Sequence, residues 1–210
     1  MATQPTFLQE TPPPVRDFAD LRAAPRFSLL IRSAKLVCAE GEFLCVVRDV
    51  SETGVRLRLF HPLPGAGRLA LELGNGEVYF IEKVWEQGDH AGFRFAAPID
   101  VADFIAEPES HSRKAVRLNL SARARLDAGL LVELVTLASL SQHGAGFTAQ
   151  SHLAVGERIK LTCPGLPPLI GSVAWRASPG YGMVFQSYFG LAELARMAAS
   201  LQLAQDPIPA

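Results

Sequence analysis

The sequence predicts an all-β fold: two tandem antiparallel six-stranded β-barrels, with a short helix after the first and a C-terminal helix after the second. Three observations predict it. Short runs of alternating apolar and polar residues are separated by glycine-bearing turns, the pattern of hairpin-linked strands. No Gly-rich phosphate loop leads into a helix, which argues against a doubly wound nucleotide-hydrolysing sheet. The chain also repeats itself: Arg113 and Arg117 answer Arg22 and Arg26 at an offset of 91 residues (113 − 22), and Ser139, Ser141 and Gly144 answer Asp49, Ser51 and Gly54 at 90 (139 − 49). Trp85 and Trp175, Gly92 and Gly182, and Phe95 and Phe185 keep the offset of 90, so the fold is read as duplicated.

Taken in order, residues 1–15 hold Thr11-Pro-Pro-Pro14 with little apolar periodicity and read as a disordered tail. The first barrel is expected over 16–107. Phe27–Cys38 and Phe43–Val50 are β-rich runs joined by a turn at Gly41. In Gly54–Leu59, Val55, Leu57 and Leu59 alternate with Arg56 and Arg58, which places the arginines outward. Arg68–Leu73 and Glu77–Trp85 flank Gly74-Asn-Gly76, a second hairpin signal, and Ala91–Ala96 completes the set. Asp100–Ala106 suits about two helical turns, and 107–112 reads as a linker. The second barrel is expected over 112–205, with strands near Val116–Leu126, Leu131–Ala138, Ala145–Ala149, Arg158–Cys163, Leu169–Arg176 and Tyr181–Phe185. Leu191–Ala204 carries Leu, Ala and Met at helical spacing. Trp85 and Trp175 are read as core anchors at equivalent barrel positions.

Composition narrows the function. A length of 210 residues suits one large or two small domains, and 49% hydrophobic with 20% charged residues allows ordinary cores. A net charge of −1 gives no reason to expect DNA or RNA as partner, so an anion site must be a local arginine cluster. No signal pattern and no apolar run of membrane-spanning length is read, so a cytoplasmic protein without membrane insertion is expected. Cys38, Cys45 and Cys163 read as reduced, buried thiols. His61, His90, His111, His143 and His152 lack metal-ligand spacing, and no serine or cysteine falls in a catalytic context. Neither a metal, a resident cofactor nor enzymatic activity is expected.

The informative stretch is Asp49-Val-Ser51-Glu-Thr-Gly54 with the upstream pair Arg22 and Arg26. Two guanidiniums suit phosphate and a ring face, a carboxylate and a hydroxyl suit a purine edge, and Gly54 suits a positive φ or a close approach. This combination resembles the PilZ family, whose signature is Arg-x-x-x-Arg followed by a strand-borne Asp/Asn-x-Ser-x-x-Gly. The resemblance implies a PilZ-like barrel that binds the second messenger cyclic di-GMP through Arg22, Arg26, Asp49, Ser51 and Gly54, and bacterial second-messenger signalling through an unidentified effector protein. Arg56, Arg58 and Arg94 read as solvated surface arginines within reach of such a site, and Arg32 is a further cation on a neighbouring strand. Leu21, just before the first arginine, offers no cation for a second ligand molecule, which implies one ligand per first barrel.

The second copy departs at one place. Ser139 stands where the motif has Asp or Asn, and a serine cannot make the charged two-oxygen contact with guanine N–H donors. Arg113, Arg117, Ser141 and Gly144 remain, so a degenerate site with weak or no binding is expected there. Two functions from different classes follow: a cyclic di-GMP receptor that signals to a partner by ordering of a segment or reorientation of its barrels, and a ligand-independent adaptor.

Overall fold

Runs in which every second residue is Val, Leu, Ile, Phe or Ala put one apolar face on each strand, and closing the sheet on itself buries all of those faces at once. The computed structural model describes residues 27–63, 67–106 and 115–203. Within them the chain forms β1 (Phe27–Cys38), β2 (Gly41–Ser51), β3 (Gly54–Arg58), β4 (Leu69–Leu73), β5 (Val78–Gln87) and β6 (His90–Phe95), followed by α1 (Val101–Ile105). The second set is β7 (Leu118–Ala128), β8 (Leu131–Leu140), β9 (Gly144–Thr148), β10 (Arg158–Thr162), β11 (Leu169–Ala177) and β12 (Gly180–Phe185), followed by α2 (Leu191–Leu203). Both sets close into six-stranded barrels, in the orders β1-β2-β3-β6-β5-β4 and β7-β8-β9-β12-β11-β10, with every pairing antiparallel. The tail expected over 1–15 and the linker expected at 107–112 lie outside the described residues.

The duplication extends to the irregularities. A bulge between Val47 and Asp49 in β2 has its counterpart between Leu137 and Ser139 in β8, and one between Lys83 and Trp85 in β5 recurs between Val173 and Trp175 in β11. The first strands break register between Ser28 and Arg32 and between Asn119 and Ala122. The first of these gaps holds one residue more than the second. It accounts for the change of repeat offset from 91 to 90 along the chain.

Helix α1 starts on Asp100, whose carboxylate accepts from the N–H of Ala102 (2.7 Å) and Asp103 (3.3 Å). The helix drives Phe104 into the first barrel, where its ring meets Tyr79 and Phe95 at centroid distances of 5.1 and 5.9 Å. Arg32 closes over it, donating to the Phe104 carbonyl with its guanidinium 5.7 Å from the ring centroid.

The two cores meet along β2. Phe43, Cys45, Val47 and Val50 point into the first barrel, whereas Leu44 joins the core of the second. Helix α2 lies over the same seam: Leu194, Ala195, Ala198 and Leu201 pack into the second core and Ala199 into the first. Gln202 acts as a strand partner for Glu42, accepting from its N–H (2.7 Å) and donating to its carbonyl (2.6 Å). The Glu42 carboxylate accepts from Asn119 N (2.7 Å), Asn119 Nδ2 (2.9 Å) and Lys35 Nζ (2.9 Å), and Lys35 also reaches Glu72 at 3.2 Å. Lys35 is nearly fully buried, so two carboxylates are what make its charge tolerable.

One expectation is corrected. Trp85 and Trp175 are not core anchors: they are 39% and 51% exposed, on the outer surface. Each indole lies across a glycine of the neighbouring strand, Gly92 or Gly182, where a Cβ would collide with Nε1 of the ring. The bulge just before each tryptophan turns it to that outer face, which strict alternation does not foresee.

Candidate functional site

A two-residue turn, Glu52-Thr53, joins β2 to β3 and pairs Ser51 with Gly54. Counting back from that turn pairs Val50 with Val55 and Asp49 with Arg56. Residues directly opposite on paired strands share a face, so Asp49 and Arg56 stand side by side on the outside of the barrel. Arg56 is in turn opposite Gly92, and Gly92 opposite Trp85, while on its other side Asp49 is opposite Ser28. One lateral row thus runs Trp85, Gly92, Arg56, Asp49, Ser28 across five strands.

Within the row, Arg56 Nε stands 2.6 Å from Asp49 Oδ2. The contact is ionic rather than an aligned hydrogen bond, because among the described residues the Nε–H finds no acceptor along its axis. The Asp49 side chain is only 9% exposed against 41% for Arg56, so the carboxylate is nearly buried while the guanidinium is partly open to solvent. Ser51 is buried, and its hydroxyl donates to the Gly54 carbonyl at 3.3 Å, leaving acceptor capacity on the oxygen. Gly54 does not have a positive φ; a Cβ there would lie 2.7 Å from the Phe93 carbonyl oxygen, so close approach of β6 is its reason.

The sequence groups Asp49, Ser51 and Gly54, and the fold brings these three together. Arg22 and Arg26, with Leu21, lie outside the described residues, as does Arg113 of the second copy. Of the accessory arginines, Arg58 donates to Asp89 (2.8 Å) and Arg94 to Glu82 (2.8 Å), both at exposed positions. The hydrogen bond from Arg58, with His90 adding to it, holds the Asp89 carboxyl below its ordinary value. Arg58 also lies 5.7 Å over the ring of Phe60, which packs against the second core. Arg32 belongs to the α1 closure described above.

Sequence reasoning missed the part of Arg56 and of Trp85 in this row. Both had a signal: the two-residue turn alone places Arg56 opposite Asp49, and the Trp85/Gly92 spacing recurs as Trp175/Gly182.

The second barrel builds the same row as Trp175, Gly182, Gly146, Ser139, Asn119. Ser141 again caps the turn, donating to the Gly144 carbonyl at 3.0 Å. Ser139 takes the place of Asp49 and accepts from Arg117 Nη1 at 3.0 Å. Gly146 takes the place of Arg56; a Cβ there would lie 2.6 Å from the Ser139 hydroxyl. Asn119, at the end of the row, is held by Glu42 of the first barrel.

Among the described residues no three His, Cys, Asp or Glu side chains come together as a metal site, and no helix is long and apolar enough to cross a membrane. No family model and no curated protein matches the chain. Solved structures similar to it include YcgR of Escherichia coli in complex with c-di-GMP, at 14% identity and a TM-score of 0.35, covering 82% of this chain and 84% of that one. The inhibitor of motility of Bacillus subtilis (MotI/DgrA) is similar at 11% identity and a TM-score of 0.34, covering 83% and 98%. The PlzA protein of Borreliella burgdorferi in complex with c-di-GMP is similar at 10% identity and a TM-score of 0.33, covering 80% and 87%. At these values the similarity by itself assigns neither a family nor a function.

Proposed function

We propose that the first barrel, over 16–107, is a non-enzymatic PilZ-like receptor for cyclic di-GMP, and that the second, over 112–205, binds it weakly or not at all. The observation that carries this reading is the row on the first barrel: a recessed carboxylate, Asp49, flanked by a guanidinium and backed by the motif's Ser51 and Gly54. Guanine presents N1–H and N2–H donors that a carboxylate can accept together. In this reading Arg22 and Arg26 supply the phosphate-facing cations. Trp85, half exposed in the same row, offers a ring face for a base. Three or four charge-assisted bonds of about 1.5–3 kcal/mol each are enough for micromolar binding after association costs.

Output to a partner protein follows in this reading from ligand-induced ordering of a segment or from reorientation of the barrels, and one ligand binds per first barrel because Leu21 adds no cation. Calorimetry with cyclic di-GMP tests it. Binding at one site, weakened roughly ten- to hundredfold by Arg22→Ala or Asp49→Ala, is expected. Absence of heat with the folded protein would favour the adaptor reading instead. That alternative draws on Val132 and Leu134, apolar side chains exposed on β8 of the second barrel.

A further inference from the structure

Between the two copies of the row, some features persist and others change together. The capped turn persists, with Ser51 or Ser141 bonded to the glycine carbonyl, and so does the tryptophan laid over its glycine. The neighbours Asp49 and Arg56 are both lost, replaced by Ser139 and Gly146. The replacements fit each other: Ser139 points its hydroxyl into the space a Gly146 side chain would need. Asp49 and Arg56 therefore behave as one unit that the barrel itself does not require.

We propose that Arg56 is a positioning and specificity-determining residue of the first-barrel site, resting on the cyclic di-GMP reading above. Asp49 lies nearly buried between β1 and β3, where a cation at close range favours the ionised carboxylate. Arg56 stands 2.6 Å from it on the adjacent strand, and its half-exposed guanidinium faces the same surface as the carboxylate. An acceptor and a planar donor side by side match one base edge: guanine gives two N–H donors to Asp49 and its O6 to Arg56. Adenine offers one amino group and no carbonyl, so the pair discriminates against it. Arg58 and Arg94 lie off the row, opposite Val46 and Gly54, and face other carboxylates, Asp89 and Glu82.

The test is calorimetry of wild type, Arg56→Gln, Arg56→Lys and Asp49→Asn with cyclic di-GMP and with cyclic di-AMP, alongside thermal unfolding. Arg56→Gln is expected to weaken cyclic di-GMP binding roughly ten- to hundredfold and to narrow the preference for cyclic di-GMP over cyclic di-AMP. Arg56→Lys, which keeps the charge without the planar fork, should fall between. Unfolding midpoints should stay close to wild type. A wild type that binds with Asp49→Asn impaired and Arg56→Gln unimpaired overturns the role of Arg56 while leaving the receptor reading in place. Equal weakening for both dinucleotides overturns the specificity role, and unfolding of both Arg56 variants makes the residue structural and overturns the proposal. A folded wild type that binds neither dinucleotide removes the receptor reading and this inference together.

Discussion

The two barrels carry the same surface row, and only one of them keeps a charged pair in it. In the first, Arg56 and Asp49 make a close ionic contact between Trp85 and the β1 edge. In the second, the corresponding positions hold Gly146 and Ser139, and Ser139 is taken by Arg117 from its own strand edge. The comparison separates scaffold from recognition inside a short motif. Ser51 and Gly54 recur with the same contacts in both copies, so their geometry belongs to the barrel: one caps a tight turn, the other lets two strands approach. Asp49 and Arg56 are the groups the second copy lacks.

The largest effect should come from the seam that makes the comparison possible. Leu44 is a first-barrel residue buried in the second core, so Leu44→Ala should destabilise the protein by about 2–5 kcal/mol, read by denaturant unfolding. Separate, unequal transitions for the two barrels in that variant would show that β2 is what couples them.

Next in size is the contrast in binding. Asp49→Ala should lose roughly 1.5–3 kcal/mol of cyclic di-GMP affinity, and Ser139→Ala should lose none, both by calorimetry. Reversal of that order would move the site to the second barrel.

The glycines sharpen the scaffold side. Gly54→Ala and Gly144→Ala each force a Cβ against a carbonyl oxygen of the neighbouring strand, Phe93 or Met183, and should destabilise by about 1–3 kcal/mol. The Gly144 variant should be the worse, because its approach is the tighter one. Ser51→Ala and Ser141→Ala should then cost about 1 kcal/mol each, nearly equal, through loss of one turn bond.

The smallest effect is a pH dependence confined to the first barrel. His61 packs on Phe43 at a centroid distance of 4.8 Å and places Nδ1 2.7 Å from the Pro62 carbonyl, while Nε2 is buried without a partner among the described residues. Desolvation lowers its pKa below the ordinary 6.5, so the folded chain holds the ring neutral. The unfolded chain then binds more protons below that value. Stability from this group is complete above pH 6.5 and declines as pH falls through 6.5 toward the folded pKa. His61→Gln should flatten the unfolding midpoint over that range.

Much of this was legible in the chain itself. Alternation in Gly54–Leu59 puts Arg56 and Arg58 outside and Val55, Leu57 and Leu59 inside, and that is how β3 lies. The repeat of Trp, Gly and Phe at a constant offset announces a duplicated fold, and the observed barrels agree down to their bulges. The two-residue turn carries enough information to pair Asp49 with Arg56, because no bulge falls between the turn and that pair.

What tertiary structure alone decided is where the outer faces go. Periodicity says that a side chain leaves the barrel, not what it meets there. Leu44 lies on the outer face of β2 and ends in another core, and Gln202 serves as a strand partner to Glu42 from 160 residues away. Trp85 is turned to the surface by a bulge, which the alternation of β5 alone does not give. These contacts depend on how two closed surfaces pack, and burial of an outer face follows from that packing rather than from the strand's own pattern.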